Sequence, residues 1–137
     1  MDLIRLFFIR KFENYDKSEK HKWKAWVKIT SVYDGDTITV LIRLNSKFVR
    51  WRARLMGFDA PEMRTPNVEE KQKAEEAKEF LKTLLPKGIF RLQIHGLDKY
   101  GRLLIDPLYK GKKICDIMIQ NNHGYAYYGG KKEKHYQ

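Results

Sequence analysis

The sequence predicts a mainly β fold, a small five-stranded barrel with two or so helices packed on it, and three observations support this prediction. The chain has 137 residues, which is room for one domain and one hydrophobic core. Five segments have strand character and two have helical spacing. A capped helix lies between the third and fourth strands and a shorter one follows the fifth, an order that suits a small barrel.

The first two strands form a predicted hairpin. Segments 26–30 and 37–43 are rich in β-branched residues, which favour extended structure. Between them lies Tyr33-Asp34-Gly35-Asp36, a sequence typical of a turn.

The third strand, Phe48–Met56, alternates strictly between apolar and basic residues. Because successive side chains of a strand point to opposite faces, one face is predicted to be buried and the other to carry guanidinium groups. The apolar set is Val49, Trp51, Ala53 and Leu55, and the basic set is Arg50, Arg52 and Arg54. We interpret Arg50 and Arg52 as a solvated face, whereas Arg54 enters the turn that carries Asp59 and Glu62.

A helix is predicted to begin at Asn67, because Glu70 follows three residues later as in a capping box. Apolar residues then recur at helical spacing, and Pro86 with Gly88 ends the helix. These apolar residues are Ala74, Ala77, Phe80, Leu81, Leu84 and Leu85.

The remaining elements are two strands and a short helix. Segments 89–94 and 102–105 have strand character, and Pro107 ends the second of them or marks it as an edge strand. The apolar spacing of Ile114, Ile117 and Met118 predicts a second helix that closes at 121–124.

The chain divides into an N-terminal arm or linker (1–24), a domain (25–130) and a basic tail (131–137). Residues 1–10 contain an apolar patch that Arg5 interrupts, a poor secretory signal, and packing on the domain is favoured over contact with a membrane. No segment approaches the roughly 20 apolar residues of a membrane span. The chain is therefore predicted to be intracellular. The single Cys115 excludes an intramolecular disulfide and is interpreted as a core residue.

The charge balance favours a nucleic-acid partner. Lys and Arg number 28 against 17 Asp and Glu, a net charge of +11. Cationic side chains that meet phosphates release condensed counterions, so a small basic domain is attracted to polyanions. Charge alone also fits solubility or an anionic membrane, and no obligate protein partner is evident.

Three short segments carry candidate chemistry: Asp34-Gly35-Asp36-Thr37, Arg54 through Glu62, and Asp98-Lys99-Tyr100-Gly101-Arg102. Singly, each is more often structural than catalytic. If the fold brings them together, Asp36, Asp59 and Glu62 cannot all ionise without a compensating cation. Carboxylate oxygens suit Ca²⁺ or Mg²⁺ rather than zinc. Such a metal site with two arginines would suit a phosphodiester substrate.

In residue identity, order and approximate spacing, these segments resemble the staphylococcal nuclease (thermonuclease) family. The resemblance runs from about Lys28 to Gly124 and is carried by DGDT, R-L-x-G-x-D-x-P-E and K-Y-G-R. It implies an OB-fold barrel and Ca²⁺-dependent hydrolysis of DNA and RNA.

The resemblance also implies a metal site. Asp36 and Asp59 would bind Ca²⁺, with Mg²⁺ or another divalent ion as alternatives. The backbone carbonyl of residue 60 would be a third ligand. Residue 60 is often Thr in the family and is Ala60 here, which keeps the carbonyl and loses a hydroxyl.

The remaining site residues follow from the same resemblance. Glu62 would act on the attacking water as a base or an orienting group. Arg54 and Arg102 would hold the phosphate. Tyr100 would lie near the nucleotide and Lys99 near a terminal phosphate.

Two hypotheses follow. The first is an active hydrolase, an endonuclease of the thermonuclease type. The alternative is a catalytically silent OB-fold module that binds nucleic acid or a protein partner. The enzyme is favoured because all five acidic and arginine residues are present. Two departures from the family are a shorter C-terminal segment and a loose match at 125–128, where we interpret the tyrosines as core or rim packing.

Overall fold

A computed structural model describes residues 23–128, which form nine strands and two helices. The predicted basic tail and all but the end of the predicted arm lie outside the described residues. The elements in chain order are β1 (Trp23–Val32), β2 (Thr37–Leu44), β3 (Lys47–Leu55), β4 (Gly57–Asp59), α1 (Val68–Leu84), β5 (Ile89–Leu97), β6 (Leu103–Ile105), β7 (Leu108–Tyr109), β8 (Lys112–Lys113), α2 (Ile114–Gln120) and β9 (Tyr125–Tyr127).

Five of the strands close into a barrel in the order β1-β2-β3-β6-β5, with β5 paired back to β1. All neighbours are antiparallel except β3 and β6, which are parallel. Closure pairs every barrel strand on both sides, which removes open sheet edges. The predicted mainly β, five-stranded OB-fold barrel with two helices is confirmed.

The alternation of β3 determines which side chains fill the barrel. Val49, Trp51, Ala53 and Leu55 are buried, while Arg50 and Arg52 are exposed. Arg54 has the parity of the exposed arginines but is only 8% accessible, because other segments cover this end of the strand. The buried face of β3 continues across β2 and β1, since Ile42 pairs with Val49 on one side and with Val27 on the other.

The two helices lie close to their predicted positions. α1 has Asn67 as its N-cap and ends just before Leu85 and Pro86. Its buried residues are Ala74, Ala77, Leu81 and Leu84, and the last three belong to the hydrophobic core of the barrel. α2 is shorter and buries Ile114, Cys115 and Met118. Within residues 23–128, neither helix combines the length and apolarity that crossing a bilayer requires.

Three differences from the predictions have physical reasons. β1 extends beyond the predicted 26–30 at both ends, because its pairing with β5 continues to Trp23 opposite Ile94 and its pairing with β2 continues to Val32 opposite Ile38. β6 begins at Leu103, after the turn that contains Arg102. The segment at 125–127 is a strand paired with β4, and Tyr127 is half-buried, as rim packing predicts. The interpretation as core or rim packing is wrong for Tyr128, which is 86% exposed. Three-residue strands have no repeating pattern from which a period could be recognised.

Candidate active site

The turn between β1 and β2 places two aspartates side by side. Asp34 Oδ1 accepts a hydrogen bond of 3.0 Å from the Asp36 N–H. The Thr37 hydroxyl donates to Asp36 Oδ1 at 2.9 Å. A Cβ on Gly35 would lie 2.9 Å from the Cβ atoms of both Ala60 and Ala77, so only glycine lets the turn pack this closely. The turn is thereby fixed against α1 and against the segment that follows β4.

Arg54, near the end of β3, joins the aspartates. Its Nη1 lies 2.9 Å from Asp36 Oδ2, and its Nη2 lies 3.4 Å from Asp59 Oδ1. The hairpin register explains the first contact, because Thr37, the neighbour of Asp36, pairs with Arg54. Arg54 and Asp36 are both buried. Removal of Arg54 would leave the buried Asp36 carboxylate without its counter-ion, which is strongly destabilising.

The segment after β4 adds the next site residues. The Ala60 N–H donates to Asp36 Oδ2 at 2.8 Å. Pro61 is buried and fixes its own φ, which limits the conformations of this turn. Asp36, Arg54, Asp59 and Ala60 therefore form one cluster of direct contacts, which we call the acidic cluster.

Glu62 is exposed, and its backbone is held by the start of α1. Its N–H donates to Glu70 Oε1 at 3.3 Å, and the Thr65 hydroxyl donates to Glu70 Oε2 at 3.0 Å. Asn67 Oδ1 accepts from the Glu70 N–H at 3.0 Å, which is half of the predicted capping box. The reciprocal half is wrong, because the Asn67 N–H donates to Thr65 Oγ1 at 3.1 Å. Glu70 thus holds the Glu62 segment, a contact that an i,i+3 pattern does not reveal.

The acidic side of this cluster carries a surplus of negative charge. Burial, and then the neighbouring Asp36 charge, raise the pKa of the Asp34 carboxyl to about 7. The charge of Glu62 acts in the same direction. The sequence predicts only a turn position for Asp34. Its place two residues before Asp36 is the feature that indicates its closeness to the site. Arg54 is the only cation in direct ion-pair contact with Asp36 within the described residues.

Arg102 is positioned by a separate turn. Asp98 Oδ2 lies 2.6 Å from Arg102 Nε, and Asp98 Oδ1 accepts from the N–H groups of Tyr100 and Arg102, each at 2.9 Å. The Trp51 indole N–H donates to the Gly101 carbonyl at 2.7 Å, which ties the turn to the barrel. The Tyr100 ring lies under the Arg102 guanidinium, 5.4 Å away, and near the Lys99 ammonium, 5.1 Å away.

Arg54 and Arg102 line one cavity of about 1040 Å³. Lys99 and Tyr100 line it as well. Asp36, Asp59 and Glu62 are not among its lining residues, so Arg54 is the side chain shared by the acidic cluster and the cavity. The other polar and aromatic lining residues are Phe58, Asp98, Asp106, Lys113, Cys115, Asp116, Tyr127 and Tyr128.

The donor chemistry of the cluster fits a hard cation. Among residues 23–128, no three His, Cys, Asp or Glu side chains are grouped so that they could hold a metal ion. The grouping of Asp36, Asp59 and Glu62 around one cation, considered from the sequence, is therefore not formed among these residues. The family resemblance implies a smaller set, the side chains of Asp36 and Asp59 with the carbonyl of Ala60. Oxygen donors with excess negative charge suit Ca²⁺ or Mg²⁺. In this structure the Arg54 guanidinium is their counter-ion.

A closed barrel with an acidic and guanidinium cluster beside a cavity defines a small OB-fold protein of the nuclease or nucleic-acid-binding type. The chain matches the family described as staphylococcal nuclease homologue over residues 52–137, and it belongs to that family. The match includes Arg54, Asp59, Glu62 and Arg102 and begins after Asp36. A search of curated proteins gave no match.

Proposed function

We propose that this protein is a Ca²⁺-dependent nuclease that hydrolyses phosphodiester bonds of DNA or RNA. One observation supports this most: Arg54 contacts Asp36 and Asp59 and also lines the cavity that contains Arg102. A phosphate in this cavity would meet two guanidinium groups beside the acidic cluster. Membership of the staphylococcal nuclease homologue family supports the same reaction class.

The two arginines bind the phosphate. The Arg102 Nε is bound to Asp98, so its Nη atoms are the ones that meet phosphate oxygens. Guanidinium groups donate in a fixed planar geometry that matches phosphate, and their charge offsets the negative charge that develops during attack. Arg54 approaches from the acidic cluster and Arg102 from the turn that follows β5.

Glu62 acts on the attacking water. Its carboxylate is exposed, while its backbone is held by Glu70, so the group is accessible on a fixed segment. A carboxylate in this position orients the water or accepts its proton. Tyr100, which is 70% exposed, and Lys99 line the cavity where the nucleotide binds.

The cation would be held by Asp36, Asp59 and the carbonyl of Ala60. When bound, Ca²⁺ supplies positive charge that polarises the phosphate. Mg²⁺ or another divalent ion is the alternative occupant, since the ligands are all oxygens.

The test is digestion of a fluorescent single-stranded oligonucleotide with Ca²⁺, with Mg²⁺ or with chelator. We expect cleavage that requires the ion. Glu62→Gln should lower turnover by roughly 10²- to 10⁴-fold, the usual contribution of a positioned acid or base. Glu69→Gln is the matched control, because Glu69 is an exposed carboxylate in the first turn of α1.

Two results would contradict the proposal. Full activity of Glu62→Gln would remove the assigned function of that side chain. A folded wild-type chain that binds oligonucleotides but cleaves none with any ion would establish the silent binding module instead.

A further inference from the structure

The outer face of the barrel has an unusual charge composition. Within residues 23–128, the four long barrel strands β1, β2, β3 and β5 contain no Asp or Glu. Their exposed cations are Lys24, Lys28, Arg43, Lys47, Arg50, Arg52 and Arg91. In α1, by contrast, lysines pair with glutamates, as Lys73 does with Glu69 and Lys82 with Glu79. The unbalanced positive charge of the described chain is therefore concentrated on the barrel.

The strand register places cations of β1 and of β3 on either side of β2. Leu41 pairs with Lys28 on one side and with Arg50 on the other. Thr39 pairs with Arg52 one step further along. Neighbouring strands are about 5 Å apart, so Lys28 and Arg50 lie about 10 Å apart across β2, close enough for one extended ligand to contact both.

Exposed aromatic rings lie between the cations. The Arg91 guanidinium is 5.8 Å from the centre of the Trp26 ring, and the Arg52 guanidinium is 5.7 Å from the Tyr33 ring. Trp26 is 46% exposed and Phe48 is 47% exposed. Within the described part of the chain, neither Arg52 nor Arg91 forms an ion pair. A purely solvated face gains nothing from open aromatic rings, whereas unpaired bases stack on them.

This face is continuous with the candidate active site along β3. Arg50, Arg52 and Arg54 lie on the same side of the strand, each about 7 Å from the next. Arg54 lines the cavity and contacts the acidic cluster. A strand whose phosphate reaches Arg54 can therefore continue over Arg52 and Arg50 without leaving the basic surface.

We propose that the outer barrel face binds single-stranded nucleic acid on one side of the cleaved bond. The face is defined by Trp26, Lys28, Arg43, Phe48, Arg50, Arg52 and Arg91. The inference deepens the proposed function and rests on it for the identity of the ligand. Cations contact the phosphates and the aromatic rings stack on bases, which gives affinity with little sequence preference. Arg50 and Arg52, which the sequence predicts to be a solvated face, would contact phosphates of the bound strand.

The test compares two variants with equal loss of charge, both in the Glu62→Gln background and in chelator. One carries Gln at positions 43, 50 and 52 of the outer barrel face. The matched control carries Gln at positions 71, 73 and 82 of α1, where Lys73 and Lys82 pair with glutamates. Fluorescence anisotropy measures the affinity for an oligothymidylate of about 20 nucleotides at about 50 to 200 mM salt.

We expect the slope of log affinity against log salt concentration to be shallower by about 2 in the outer-face variant. Each single-strand phosphate contact contributes about 0.7 to this slope, and the variant removes three cations. The α1 variant should keep the slope of its parent. Trp26→Ala should weaken binding by about fivefold or more through lost stacking, with its circular dichroism spectrum unchanged.

Equal slopes in the two charge variants would overturn the inference. So would tighter binding to duplex than to single strand of equal length. Binding to vesicles of phosphatidylserine and phosphatidylcholine that falls in the outer-face variant, with oligonucleotide affinity unchanged, would assign the face to a membrane instead. The proposed function can fail independently of this inference. If the wild-type chain cleaves no oligonucleotide but the two charge variants differ in salt slope, the nuclease proposal is wrong and the binding-face proposal stands.

Discussion

Asp36 illustrates how a single carboxylate can be both a structural and a candidate functional group. Its Oδ1 accepts from the Thr37 hydroxyl, while its Oδ2 accepts from the Ala60 N–H and pairs with Arg54. A substitution at Asp36 therefore disturbs three segments at once. Asp59 is less buried and lies farther from Arg54, so it is the better position at which to separate metal binding from folding.

Cys115 shows the opposite case, a group that the fold makes unreactive. Burial first, and then the charges of Asp106 and Asp116, raise the pKa of the Cys115 thiol to about 11. At about pH 8 such a thiol is roughly one part in a thousand thiolate, against about a quarter for a free cysteine. Because only the thiolate reacts, we expect iodoacetamide to alkylate Cys115 at least about a hundredfold more slowly than a small thiol whose pKa is about 8.5.

Mass spectrometry of timed samples measures this rate. Asp106→Asn should accelerate the reaction, because it removes the carboxylate charge that contributes most after burial. A rate equal to that of the small thiol, in a chain that remains folded, would show that Cys115 is open to solvent and normally ionised.

At the scale of elements, the first turn of α1 supports the segment that carries Glu62. Glu70 accepts hydrogen bonds from the Glu62 N–H and the Thr65 hydroxyl. We expect Glu70→Ala to lower kcat by about tenfold with a small change in KM, because Glu62 loses its fixed position while substrate contacts remain. Stability should fall by about 1 to 3 kcal/mol, since two donors lose their acceptor.

Oligonucleotide kinetics and thermal unfolding of Glu70→Ala check this expectation. Glu69→Ala is its control, because Glu69 occupies the same turn but pairs outward with Lys73. Glu70→Gln should restore part of kcat, since its amide oxygen can still accept from the Glu62 N–H. Equal kinetics for the two alanine variants would show that Glu70 has no part in positioning Glu62.

The elements also show how far the sequence could predict the fold. β2, β3 and both helices follow from period and from their flanking residues. The short pairs β4 with β9 and β7 with β8 could not be predicted, because two or three residues carry no period. The contact of Arg54 with Asp36 follows from a local hairpin register. The approach of Arg102 does not, because it depends on the parallel pairing of β3 with β6, which joins distant segments.

At the scale of the whole molecule, metal binding should increase the free energy of unfolding. A ligand that binds only the folded chain stabilises it by about 2.7 kcal/mol at a hundredfold excess over its Kd. We therefore expect saturating Ca²⁺ to raise the midpoint of thermal unfolding by several degrees relative to chelator. Asp59→Asn should lose most of this shift, because it removes a proposed ligand charge.

Differential scanning fluorimetry with and without Ca²⁺ measures this shift. Asp116→Asn is the control, since Asp116 is an exposed carboxylate outside the acidic cluster. A shift of equal size in both variants would mean that Ca²⁺ acts on the general charge of the protein and not on the cluster.

The parallel seam between β3 and β6 has a consequence for the order in which the fold and its chemistry arise. It consists of three residue pairs, one of which is Arg54 with Leu104, two positions beyond Arg102. The acidic hairpin turn can form from neighbouring segments, whereas the two guanidinium groups become neighbours only when this seam closes. Because long-range pairings are slow to form, a nascent or half-open chain has the carboxylates without the paired arginines. The proposed nuclease activity, which needs both arginines, would therefore arise only when folding is complete.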